Sequence, residues 1–163
     1  MRYQIRKAVM EDYAEIGRIY AVARKFMEKN GNPTQWGNHY PPEELVRKDI
    51  REEKLHLVED ESGIHGVFYF SIEDDPTYQN IENGQWRSNE TYGVLHRVAG
   101  DSSGGILRTA VSYAESKIRH IRIDTHQDNS VMQNALSRLG FQKCGIVYME
   151  DGSPRMAYDK IIR

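Results

Sequence analysis

The run Gly100-Asp101-Ser102-Ser103-Gly104-Gly105 lies between a segment of alternating polarity, Tyr92 to Ala99, and one with helical spacing, Gly104 to Lys117. A helix start offers unpaired backbone N–H groups and the positive end of its dipole to an anion, and glycines let a phosphate come close to the chain. A plain turn with a helix cap uses the same residues. The run lacks the glycine spacing of the dinucleotide fingerprint, and no Gly-Lys-Ser/Thr of a Walker loop follows. Any phosphate bound here is therefore not marked as that of a nicotinamide cofactor or a nucleoside triphosphate.

Proton-transfer groups accompany this loop. Glu90, Tyr92 and His96 fall on one side of the alternating segment. An imidazole that loses its proton near neutrality can relay one through water, although a lone strand histidine also serves as ordinary packing. His126 follows Asp124 at the end of the next alternating segment, and Asp128-Asn129 precede an apolar periodic stretch in the manner of a helix cap. Trp36, Tyr78 and Trp86 lie in loop-like stretches, where exposed rings line amine pockets through cation–π contact or cover a core edge or a dimer contact. No His, Cys, Asp and Glu grouping has zinc-ligand spacing, so no metal is expected.

The elements that must hold these groups follow from periodicity. Strands are expected at 2–6, 55–59, 64–70, 92–99, 120–124, 141–148 and 156–161, and helices over 12–29, 41–53, 104–117 and 128–139. Asn30-Gly31-Asn32-Pro33 stops the first helix, and Asp60-Glu61-Ser62-Gly63 turns a hairpin. The polar stretch from Glu73 to Glu90 is longer than an ordinary connector, as functional loops often are. The order is β-α-α-β-β-β-α-β-α-β-β.

With 163 residues and no linker between separate cores, residues 1–163 should form a single domain. The balance of 22 basic against 24 acidic residues gives no electrostatic case for a nucleic-acid or anionic-membrane partner. The lone Cys144 excludes an internal disulfide, and the first residues lack a signal-peptide core, so a cytoplasmic location is expected.

The element order, the strand ending in His96-Arg97-Val98-Ala99, its Gly/Ser loop and the stretch from Asp128-Asn129-Ser130-Val131-Met132 to Leu139-Gly140-Phe141 together resemble the GNAT acetyltransferase family over nearly the whole chain. The resemblance implies an α/β (α+β) fold with a mixed, largely antiparallel central sheet flanked by about four helices. It also implies acetyl-CoA as co-substrate and transfer of its acetyl group to an amine on a small molecule or protein. In the family the fourth strand splays from the fifth and frees backbone groups for the pantetheine arm, and the following loop wraps the pyrophosphate. The matching positions here are Arg97, Val98 and Ala99, then Ser102, Ser103, Gly104, Gly105, Ile106 and Leu107, with Asn129 and Met132 across the cleft.

Two departures stand out. Leu107 replaces the second small residue of the family's loop, and Leu136 stands seven residues after Asn129, where many members place a tyrosine that serves the leaving thiolate. Tyr148, or Cys144 near it, is the available substitute for that acid; His96, Tyr92 or Glu90 would supply the base, and Trp36, Tyr78, Trp86 and His126 the acceptor pocket. Three readings follow. They are an N-acetyltransferase, an acyl-CoA sensor or interaction module on the same fold, and a phosphate-ligand protein of another α/β fold, which would leave the early antiparallel strands unexplained.

Overall fold

A computed structural model describes residues 3–163. It contains seven strands and four α-helices: β1 (Gln4–Lys7), α1 (Tyr13–Lys29), α2 (Glu43–Arg51), β2 (Leu55–Asp60), β3 (Gly63–Ile72), β4 (Gly93–Gly100), α3 (Ile106–Glu115), β5 (His120–Thr125), α4 (Ser130–Arg138), β6 (Gln142–Tyr148) and β7 (Pro154–Ile161). This is the order expected from the sequence. Arg2, at the expected start of the first strand, lies outside the described residues.

All seven strands form one mixed sheet in the order β1-β2-β3-β4-β5-β7-β6. Neighbours run antiparallel except β4 and β5, which are parallel and pair only at Gly93 with Ile121 and Val94 with Arg122. The sheet is thus nearly divided at its middle.

Its two faces are covered differently. Ile16, Ile19, Tyr20 and Ala23 bury one stripe of α1 at three- and four-residue spacing, and with Val46 and Ile50 of α2 they pack on Leu55, Leu57, Val67 and Tyr69. The opposite face receives Ile106, Ala110, Val111 and Ala114 of α3 with Leu136 of α4, against Phe68, Leu95, Ile121 and Ile123. A smaller cluster of Tyr78, Tyr92, Val94, Val147 and Ala157 lies beyond the division, on the same side as α1 and α2. The helices shed fraying residues relative to the expected ranges. α1 stops where Gly31 takes φ 81° and the Asn30 side chain donates to the Phe26 carbonyl at 2.8 Å, and α2 starts after Pro42, whose ψ of 157° is extended.

Among the described residues no helix is long and apolar enough to cross a membrane.

The core contains one titratable group whose protonation opposes folding. His56 stacks on Phe68 at 5.1 Å and touches Tyr113 at 4.9 Å, while its Nδ1–H donates to the Lys54 carbonyl at 3.0 Å. Burial lowers its pKa to about 4. Between about pH 6.5 and pH 4 the unfolded chain therefore binds a proton at this position that the folded chain refuses, so stability falls as pH falls across that window. Thermal unfolding between those pH values should show a falling midpoint, and His56→Phe should flatten the slope; an equal slope in the variant would remove His56 as its source.

Candidate active site

The division of the sheet has a local cause. Val67 pairs with Ala99 but Tyr69 pairs with His96, so Phe68 of β3 faces both Arg97 and Val98 of β4. That is a β-bulge. Arg97 takes φ 50°, a left-handed conformation unusual for a side chain of this size. Asp49 of α2 holds it there, accepting from Arg97 Nε and Nη2 at 2.9 and 3.1 Å, while the guanidinium lies 4.6 Å over the Tyr69 ring. Burial raises the pKa of the Asp49 carboxyl and Arg97 works against it; the two-pronged geometry keeps the pair ionised. Beyond Val94, β4 leaves β5, and the peptide edge it presents there has no strand partner.

Two cavities open at this point. The smaller, about 310 Å³, lies between the ends of α1, α3 and α4. It gathers most of the residues that the sequence assigns to the cofactor: Val98, Ala99, Ser102, Gly104, Ile106, Leu107, Asn129 and Met132. Ser103 and Gly105 belong to the same loop, whereas Arg97 lines the second cavity. Ser102, Gly104 and Gly105 take φ of 78°, 89° and 76°, and no side chain caps the start of α3 at Gly105. The first-turn N–H groups of α3 are left open to an anion. Leu107 contributes to the apolar wall.

The loop is tied down from outside. His65 Nδ1 meets Asp101 Oδ2 at 2.8 Å, His65 Nε2 meets Asp60 Oδ1 at 2.8 Å, and Tyr3 donates to the Gly104 carbonyl at 2.8 Å. Asp101, then Asp60, raise the His65 pKa by hydrogen bonding, which favours a bridging imidazolium.

Asn32 lines this cavity too, a residue the sequence offers only as part of a helix stop. Its Nδ2 donates to Gln35 Oε1 at 2.9 Å, but its Oδ1 is buried without a donor. A buried orphan acceptor beside a cavity calls for an N–H-bearing ligand. Asn129 meets the simpler expectation for it: its side chain caps α4, accepting from Met132 N at 3.0 Å, and donates to Gln35 Oε1 at 3.1 Å.

The larger cavity, about 500 Å³, lies on the α1–α2 face and shares Met27, Val98 and Met132 with the smaller. His96 projects into it. His96 Nε2 is 2.7 Å from Asp75 Oδ2, and Nδ1 is 3.9 Å from Asp124 Oδ2, which accepts from the Tyr78 hydroxyl at 2.6 Å. Because a carboxylate can only accept, the short contact places the ring hydrogen on Nε2 and the free lone pair on Nδ1. Burial works to raise the Asp75 pKa, but hydrogen bonds from His96 and Thr77 outweigh it and hold the value down to about 2. The result is an imidazole steadied by one carboxylate and facing another.

The other candidates are distributed unevenly. Trp36 lines the larger cavity, edge-on to Tyr20. Tyr78 stands behind Asp124, fully buried. Trp86 is not in the cavity: it donates to the Tyr78 carbonyl at 2.8 Å and lies under Arg122. Tyr92 precedes β4 rather than sharing its face; its ring also faces Arg122, and its hydroxyl accepts from Asp75 N at 2.8 Å. Glu90 is exposed on the connecting loop, at the end of β4 opposite the bulge. Tyr148 is 41% exposed and donates to Glu82. His126 receives Asp128 N and lies 3.4 Å from the Thr34 hydroxyl, outside both cavity linings. Leu136 is fully buried in the core, and Cys144, pushed up to about 11 by burial and by Asp159, lies away from both cavities. Asp49, Asp75, Asp124 and Arg155, which complete the larger cavity and its support, carry no signal in local spacing. Among the described residues no grouping of three or more His, Cys, Asp and Glu could hold a metal ion.

No family model matches the chain, and neither does any curated protein. Solved structures do. A GNAT-family acetyltransferase from Streptococcus agalactiae 2603 superposes with a TM-score of 0.87 at 28% identity, covering 99% of this chain and 96% of that one. Ribosomal-protein-alanine N-acetyltransferase from Brucella melitensis gives a TM-score of 0.65 at 18% identity, covering 98% and 99%. N-acetylglutamate synthase from Neisseria gonorrhoeae, solved with coenzyme A and N-acetyl-glutamate, gives 0.60 at 14% identity, covering 100% of this chain and 36% of that one. The fold is that of the GNAT acetyltransferases, and the likeness to the Streptococcus agalactiae protein supports kinship with that family and acetyl transfer.

Since Arg97 and Asp49 are both well buried, removing one partner strands the other's charge. Asp49→Ala should cost about 3–5 kcal/mol of stability, measured by urea unfolding. A cost below about 1 kcal/mol, the worth of a surface pair, would show that the pair does not fix the bulge.

Proposed function

We propose that the protein transfers an acetyl group from acetyl-CoA to a primary amine, with the co-substrate in the smaller cavity and the amine in the larger. The observation that carries this reading is the meeting of the two cavities at Met27, Val98 and Met132, beside the unpaired edge of β4. Acetyl-CoA brings an activated thioester, an amide-bearing arm and a diphosphate. The residues present suit each part: the open N–H groups at the start of α3 for phosphate, the orphan Asn32 Oδ1 for an amide N–H, and the free β4 peptides for a carbonyl.

An amine reaches the site as an ammonium ion. Asp124 attracts it, and His96 Nδ1 accepts one proton so that the nitrogen lone pair is free to attack. Asp75 stabilises the imidazolium that results. A nitrogen–carbon bond then forms while the carbon–sulfur bond breaks. No protein acid takes the position of the family's tyrosine, since Leu136 is in the core and neither Tyr148 nor Cys144 lines the cavities. The proton that neutralises the departing sulfur therefore comes from the attacking nitrogen, and one proton is released per turnover.

That missing acid also favours a second reading, a module that binds acetyl-CoA without turnover. Thiol release from acetyl-CoA against a panel of amines separates the two. Transfer predicts release that His96→Ala slows by about 10²–10⁴-fold while the acetyl-CoA dissociation constant holds. Unchanged turnover would remove His96 from the reaction, and tight binding without release would favour the module. Gly105→Val puts a β-branched residue at φ 76°, so acetyl-CoA binding should weaken by roughly tenfold; an unaltered dissociation constant by calorimetry would place the phosphates elsewhere.

A further inference from the structure

Arg155 is the second residue of β7 and lines the larger cavity, yet it is only 9% exposed. Its partners are all neutral: Nη1 donates to Ser153 Oγ at 3.1 Å and to the Pro154 carbonyl at 2.9 Å, and Nη2 to the Gln35 carbonyl at 3.5 Å. Among the described residues no carboxylate lies within salt-bridge distance of it. Asp151 is close enough for its charge to act on Arg155, but it is exposed, lies beyond salt-bridge distance, and its Oδ1 accepts from Ser153 N at 2.9 Å and Ser153 Oγ at 2.6 Å. The other shielded arginines are compensated. Arg97 pairs with Asp49, while Arg122 is closed between the rings of Trp86 and Tyr92 at 4.1 and 3.9 Å. Arg155 alone among these faces the larger cavity with neither a salt-bridged carboxylate nor an aromatic sandwich.

Asp124 presents the complementary charge. Its side chain is 8% exposed, and it accepts one short hydrogen bond, from Tyr78, with His96 at 3.9 Å. The remaining shielded carboxylates of the cavity are engaged: Glu73 by Lys54 at 3.0 Å and Tyr69 at 2.8 Å, and Asp75 by His96. Asp124 pairs across the sheet with Ala157, and Arg155 lies two residues along β7 on the same face. Diagonal neighbours of this kind have Cα atoms about 7–8 Å apart. A carboxylate and a guanidinium on one wall, each hydrogen-bonded only to neutral groups, thus stand within the span of a small molecule.

We propose that the acceptor is an amino acid or a close zwitterionic relative, whose ammonium meets Asp124 beside His96 and whose carboxylate is gripped by Arg155. This rests on the transfer reading given above and narrows its substrate. A planar guanidinium binds carboxylate in two parallel hydrogen bonds, and the pairing supplies the anion that a buried cation otherwise lacks. Transfer then leaves the carboxylate untouched and yields an N-acetyl amino acid, coenzyme A thiol and a proton.

The test is thiol release from acetyl-CoA with the common L-amino acids, each set against its carboxamide and its decarboxylated amine. At least one amino acid should exceed both of its counterparts by roughly tenfold to a hundredfold in kcat/KM, the usual worth of a charge-assisted pair. Arg155→Ala should raise KM for that amino acid by a similar factor with kcat nearly unchanged and abolish the preference, and Arg155→Lys should restore part of it. Because the matched comparison uses the unaltered protein, it stands even if a variant fails to fold. Equal or better turnover of the amines lacking a carboxylate would overturn the zwitterion and leave acetyl transfer intact. Bound acetyl-CoA with no thiol release from any amine would instead overturn the transfer reading.

Discussion

The site depends on one buried ion pair. Asp49 reaches from α2 to hold Arg97 in a left-handed conformation that no ordinary strand residue adopts. The extra residue this admits turns β4 away from β5 after only two paired positions. Regular pairing would carry the sheet straight through and close both cavities. An interaction on the α2 face thereby creates a gap that is used from both faces. The ion pair also links two clusters of the core, because Ala99 past the bulge packs with α1 and α2 while Leu95 before it packs with α3.

On the α1–α2 side, the polar groups are arranged by strand alternation. Val94 and His96 of β4, Arg122 and Asp124 of β5, and Arg155 and Ala157 of β7 project to one side of the sheet. The segment after β3 then folds over them. Asp75 caps a short helical turn through Thr77, Tyr92 fixes the Asp75 backbone, and Glu82 bridges to Ile146 of β6. That bridge requires glycine: a Cβ at Gly84 would meet the Cys144 carbonyl, and one at Gly145 would lie 2.6 Å from the Glu82 carbonyl. The segment is a fitted wall of the cavity, which is why so long a connector is ordered.

Much of the architecture was legible in the sequence because it is encoded locally. Apolar spacing defined each helix stripe, alternation each strand, and the Gly/Ser run the mouth of the smaller cavity, where Ser102, Gly104, Ile106 and Leu107 do converge. The surroundings of His96 were not legible. His96 could be picked out by residue type, but Asp75 approaches it from 21 residues away and Asp124 through the parallel pairing of β4 with β5. Glu90 and Tyr92 were grouped with His96 by extending alternation past the strand's true start at Gly93. Trp86 and Tyr92 have the composition of an amine pocket and instead enclose Arg122, since an aromatic ring serves an internal cation as readily as a ligand. Leu136, conspicuous as a departure, proved to be an ordinary core residue.

Gln35 joins the two halves of the site. Its side-chain oxygen receives Asn129, which caps α4 at the smaller cavity, and Asn32, which lines that cavity, while its backbone carbonyl receives Arg155 of the larger one. Three donors compete for that single amide oxygen, His126 N being the third at 3.4 Å, so none can shift without redistributing the rest. Any shift of this residue therefore disturbs hydrogen bonds at both cavities at once.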